Sequence, residues 1–149
     1  MSLKIQELSA DNFLRLTDGG AIVRVTFTGH GHWNPQINVT NERLGIYDEH
    51  KKLDELEGIK ITEDLCEKLG FTTNGDHTLT GSGYYGRRYG DTHVELRPRD
   101  QYLRIRCFDD KWYTLQETSF CRYLHQLQNY LTMARVTFNL CKLSDLEKV

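Results

Sequence analysis

Gly81-Ser82-Gly83-Tyr84-Tyr85-Gly86 has the G-x-G-x-x-G spacing of loops that cradle phosphates. That chemistry needs a buried strand before the glycines and a helix N-terminus after them, so that backbone amides meet the pyrophosphate. Asp76-His77-Thr78-Leu79-Thr80 precedes the string and Arg87-Arg88-Tyr89-Gly90 follows it, and neither context fits. No HRD or DFG element accompanies it, so a kinase-type loop is equally unsupported. A glycine-rich turn is the expectation. His30-Gly31-His32 places two imidazoles at metal-ligand spacing, but zinc takes three or four ligands. Glu42 and His50 are the nearest further candidates and are remote, so the pair reads as part of a turn. No metal and no cofactor is expected. Ser82 lacks a G-x-S-x-G elbow, and Cys66 and Cys107 fall on apolar faces, where thiols behave as small hydrophobes. An enzyme is therefore the third reading, with a site that only folding would assemble.

Tyr84, Tyr85, Arg87, Arg88 and Tyr89 form the most suggestive patch. Aromatic rings beside arginines stack bases and neutralise phosphates. The same residue types are enriched at protein interfaces. A third reading is a hairpin whose tyrosines pack partly on the core. Arg97, Arg104 and Arg106 extend the patch as outward positions of neighbouring strands.

The elements that must hold these residues follow from periodicity. Leu14 and Leu16, then Val23, Val25 and Phe27, alternate with polar residues around Asp18-Gly19-Gly20, which predicts a hairpin. Gln36 to Tyr47 adds short strands, and a small barrel-like sheet of SH3-like type is the expectation for this start. Thr62 caps a short helix that places Leu65, Cys66 and Leu69 on one face and ends at Gly70, with Ile61 and Cys66 as a hydrophobic staple. Thr72 to Gly90 reads as loop or irregular hairpin. Val94 and Leu96, then Leu103, Ile105 and Cys107, alternate across Pro98-Arg99-Asp100 and Asp109-Asp110-Lys111, which predicts an antiparallel meander with one wet face. Phe120, Leu124, Leu127 and Leu131 make one apolar stripe and predict a helix over Ser119–Met133 packed on the sheet. Val136, Phe138 and Leu140 suggest a last strand. The fold class is α+β, one domain over residues 1–149 with a weak seam near 56–58.

Composition agrees with a globular domain: of 149 residues, 38% are hydrophobic and 27% charged. The net charge of -2 gives no global pull toward nucleic acid or anionic membrane. Charge is uneven, however, with acids outnumbering bases nine to four over Asn41–Glu67 and bases outnumbering acids six to three over Tyr84–Arg106. The start resembles no secretory signal, no apolar run suits a bilayer, and the four cysteines are widely spaced. A cytoplasmic protein with reduced thiols is expected.

Three stretches carry a family resemblance. They are Asn12-Phe13 before the hairpin, Gly58-Ile59-Lys60-Ile61-Thr62-Glu63-Asp64-Leu65 running into Lys68-Leu69-Gly70-Phe71, and Tyr123-Leu124-His125-Gln126-Leu127-Gln128-Asn129. The chain resembles small uncharacterised proteins of Bacteroidetes and their phages or prophages, which share "I-P-L-T-E-E-x-L" leading to "G-F" and a "Y-V-H-Q-L-Q-N" helix. It departs from them after Leu131, where Thr132-Met133-Ala134-Arg135 leads into a β-like tail. The resemblance implies a bacterial or phage origin and a small α+β fold, and brings no activity with it. The polar groups of His125, Gln126, Gln128 and Asn129 are expected to fasten the helix to the neighbouring sheet in preference to binding a partner. The preferred function is a non-enzymatic interaction protein binding a host or phage protein through the Tyr–Arg region. The alternative is a nucleic-acid binder using residues 84–106.

Overall fold

The computed structural model describes residues 3–30, 35–73 and 83–135 together with Leu146. Phe13–Leu16 (β1) and Ile22–His30 (β2) form the predicted hairpin. Gly19 and Gly20 turn it with φ of +81° and +71°, which only glycine adopts without strain. Pro35–Asn41 (β3) and Ile46–Lys51 (β4) continue the meander. A 3-10 turn at Leu53–Glu55 then leads into Leu56–Gly58 (β5), which returns to pair with β1, Leu14 opposite Gly58 and Leu16 opposite Leu56. The antiparallel sheet runs β4-β3-β2-β1-β5. Among the described residues β4 and β5 are its edges. A register shift between Val25 and Phe27 marks a bulge in the β2–β3 pair. The core of this sheet holds Leu14, Val23, Val25, Ile37 and Val39, all fully buried, each worth about 1.5–3 kcal/mol. The 56–58 stretch, read as a weak seam from sequence, forms the edge strand β5 of the first sheet.

Beyond it the chain passes to Glu63–Lys68 (α1). The Thr62 hydroxyl accepts a hydrogen bond from the Leu65 amide at 3.1 Å, and Gly70 follows the helix with φ of +83°. Tyr85–Tyr89 (β6), Thr92–Arg97 (β7), Tyr102–Asp109 (β8) and Lys111–Thr118 (β9) then build a second antiparallel sheet in sequence order. Residues 85–89, expected as loop or irregular hairpin, are a strand because they pair with β7 from Tyr85 opposite Leu96 to Tyr89 opposite Thr92.

The long helix is Leu124–Met133 (α2), shorter at its start than the predicted Ser119–Met133. Residues ahead of it are held by the backbone: the Cys121 amide donates to Gln101, the Ile61 amide to Arg122, and the Leu124 amide to Ile59. Phe120 therefore leaves the apolar stripe and is 76% exposed, while Leu124, Leu127 and Leu131 are buried. α2, α1 and one face of the second sheet share a core with Phe13 and Ile22 of the first sheet. β1 is consequently covered on both faces, Leu14 toward the core of the first sheet and Phe13 toward α2. The fold is α+β, with two antiparallel sheets, one short helix and one longer one among the described residues. The expected strand over Val136–Leu140 lies outside the described residues, as do Gly81 and Ser82, His32 and the side chain of His30.

Candidate binding face on the second sheet

The Tyr–Arg patch is divided by the alternation of β6. Tyr85 is buried in the core and Tyr89 packs against it. Arg87 lies over the Tyr89 ring, its guanidinium carbon 4.4 Å from the centroid, and donates through Nη1 to the Leu69 carbonyl at the end of α1. A cation there also meets the negative end of the helix. Tyr85, Arg87 and Tyr89, expected at a partner surface, thus belong to the packing between sheet and helix. Tyr84 and Arg88 go to the opposite face, where Arg88 sits 5.5 Å from the Trp112 ring centroid. Arg97 donates to the Tyr84 hydroxyl at 3.1 Å, lies 4.6 Å over the Tyr84 ring and pairs with Asp100 at 3.0 Å.

Arg104 and Arg106, expected to face solvent, join a buried ion network. Glu95 is at its centre with 1% exposure. Arg104 Nη2 lies 3.0 Å from Glu95 Oε2, Arg106 Nη2 lies 2.6 Å from Oε1, and His93 Nδ1 stands 3.1 Å from Oε1. The strand register explains the meeting, since Glu95 is opposite Arg104 and His93 opposite Arg106. Gly86, which faces Glu95 from β6, adds no side chain to this row. Trp112 roofs the group, 5.0 Å from the Arg106 guanidinium. Burial pushes the Glu95 carboxyl up, but the hydrogen bonds from His93 and Arg104 and the charges of Arg104 and Arg106 outweigh it and hold the group below its ordinary value. A buried acid with cations on two sides remains ionised and keeps those cations occupied.

Next to the network the sheet becomes apolar and open. Phe108, paired with Trp112, is 41% exposed on the face of the network, Tyr113, paired with Cys107, is 43% exposed on the opposite face, and Leu115 is 41% exposed further along β9. Among the described residues β9 has no neighbour on its outer side, so the strand is an edge. No family model, curated protein or solved structure matches this chain. Function therefore has to be read from the side chains themselves.

Gln126, Gln128 and Asn129 of α2 are half-buried and each is hydrogen-bonded. Gln126 Oε1 accepts from the Arg122 and Tyr123 amides at 2.8 and 2.9 Å, capping its own helix. Gln128 accepts from the Phe13 amide and donates to the Asp11 carbonyl, both at 2.9 Å. Asn129 accepts from the Asn12 side chain at 2.9 Å and donates to the Glu7 carbonyl at 2.6 Å. These two amides bind the helix to the leading edge of β1. His125, expected to fasten the helix through a polar group, is fully buried and stacks on Tyr123 with centroids 5.7 Å apart. Neither ring nitrogen has a hydrogen-bond partner, and burial pulls its pKa down to about 4.

The buried thiols are held in the protonated form, the weaker nucleophile. Burial first, then the charges of Glu63 and Glu67, pushes Cys66 up to about 12, and burial does the same for Cys121. Among the described residues no three His, Cys, Asp or Glu side chains gather as a metal site. Sequence reasoning passed over Trp112, Tyr113, Leu115 and Phe108. The signal was present in their density along the β8–β9 turn, where apolar residues follow one another without alternation.

Proposed function

We propose that the protein is a non-enzymatic interaction protein that binds a protein partner at the β8–β9 end of its second sheet. The observation that carries this is the exposed edge strand β9, which bears Trp112, Tyr113 and Leu115 with Phe108 beside it. An open edge offers backbone donors and acceptors to an added strand, and alternate side chains give selectivity. Exposed aromatics bordered by arginine have the composition of interface anchors, and Arg88, 5.5 Å from the Trp112 ring centroid, forms that border. Nucleic-acid binding is less well supported. Arg97 is paired with Asp100, and Arg104 and Arg106 with Glu95, so these cations have few counterions to release on meeting a phosphate.

No helix among the described residues is long and apolar enough to cross a membrane. Cys66, Cys107 and Cys121 are free thiols, which fits a reducing cytoplasm. With the family resemblance, this favours a bacterial cytoplasm and a host or phage protein as partner. Affinity capture from a Bacteroides-type lysate tests the reading, using the native chain and a Tyr113→Ala/Leu115→Lys variant, with and without nuclease. A discrete protein held by the native chain after nuclease treatment and lost from the variant is the expected result. A partner released by nuclease, or held equally by both chains, refutes it.

A further inference from the structure

A cleft of about 780 Å³ opens between the first sheet and α1, away from the binding face. Its size falls within the roughly 300–1,000 Å³ of small-molecule sites. Arg15 enters from β1, Arg43 from the turn after β3, Lys60 and Lys68 from the start and end of the α1 region, and Arg122 from the approach to α2. Two acids, Glu57 and Asp64, stand against these five cations. Among the described residues that line it, the excess is thus three positive charges on a chain whose net charge is -2. Among the described residues Arg15, Lys60, Lys68 and Arg122 form no ion pair. Like charges in a concave site repel one another and focus a positive potential, which an anion relieves.

The wall of the cleft is built to hold its shape. Tyr123 lines it and is stacked on the buried His125 ring at an interplanar angle of 14°. Gly58 lies against both: a Cβ there would stand 2.7 Å from the Tyr123 ring and 3.1 Å from His125 Cε1. The Arg122 guanidinium lies 5.3 Å from the same ring, and its Nε is buried without a hydrogen-bond partner. The cleft thus has a fixed aromatic wall with an arginine beside it that forms no ion pair among the described residues, whereas Arg97, Arg104 and Arg106 of the second sheet are paired with carboxylates.

We infer that this cleft binds a small molecule carrying a diphosphate or triphosphate group. The excess charge matches such a group, and guanidinium and ammonium donors suit phosphate oxygens. The inference is independent of the protein-partner reading, since the two surfaces share no residue. Isothermal titration with inorganic pyrophosphate and, separately, with ADP tests it and distinguishes the free anion from a nucleotide. Lys60→Gln/Lys68→Gln removes two exposed cleft cations with little risk to folding, which circular dichroism checks. Lys4→Gln/Lys52→Gln removes the same charge elsewhere. Saturable one-to-one binding of at least one probe, weakened about tenfold or more by the cleft pair and little by the control pair, is the expected result. No saturable binding of either probe, equal weakening by both pairs, or weakening by neither overturns the inference.

Discussion

Lowering the pH from 7 to 5 charges the His125 imidazole in the unfolded chain but leaves it neutral in the folded one. The unfolded value is about 6.5, and burial brings the folded value down to about 4. Because the folded value is the lower of the two, the unfolded state binds more protons throughout this interval. The contribution is complete above pH 6.5 and is lost as the pH falls toward 4. At about 1.4 kcal/mol per pH unit the whole interval amounts to about 3 kcal/mol, and the step from pH 7 to pH 5 to about 2 kcal/mol. The side chain is fully buried, so solvent screening does not reduce the figure. Urea denaturation at pH 7, 6 and 5 measures it directly. His125→Phe keeps the stack on Tyr123 and removes the titration. The native chain should lose about 2 kcal/mol over this range and the variant much less. Carboxylates titrate mostly below it, so Glu95 does not obscure the comparison. Equal losses in the two chains would refute the reasoning.

Gln128→Ala removes the acceptor for the Phe13 amide and the donor to the Asp11 carbonyl, and should cost about 2 kcal/mol in urea denaturation. Glu95→Gln strands Arg104 and Arg106 in a buried site and should cost about 3 kcal/mol at pH 7, read as a lowered melting temperature. Since the folded Glu95 titrates below its ordinary value, its contribution is present above the unfolded value of about 4.3 and is lost as the pH falls through the folded one. The variant should show a smaller loss of stability below pH 4.

What could be read from the sequence is what depends on near neighbours. Asp18-Gly19-Gly20 announces the first hairpin, Thr62 and Gly70 bracket α1, and the meander follows from alternation between turn residues. The start of α2 could not be read in the same way. Phe120 has the spacing of the apolar stripe, yet pairing of residues 121–124 with Gln101 and with residues 59–61 takes precedence, and those partners are distant in sequence. The Tyr–Arg patch looked like one surface because its strand was not recognised; alternation then gives Tyr85, Arg87 and Tyr89 to the core side. Arg106 looked solvent-facing because the acid that neutralises it lies on another strand. The cleft gives no local sign at all, being assembled from positions 15, 43, 60, 68 and 122.

The amide clamps of α2 bear on how the chain comes off the ribosome. Gln128 reaches back 115 residues to Phe13, and Asn129 reaches 117 to Asn12. Contacts so distant along the chain form late, and domains assemble as synthesis proceeds. The first strands can pair among themselves early, but β1 keeps one side open until the helix has been made. A nascent chain arrested before Leu124 would show its Phe13 side to chaperones and proteases, and completion of α2 is the event that withdraws it.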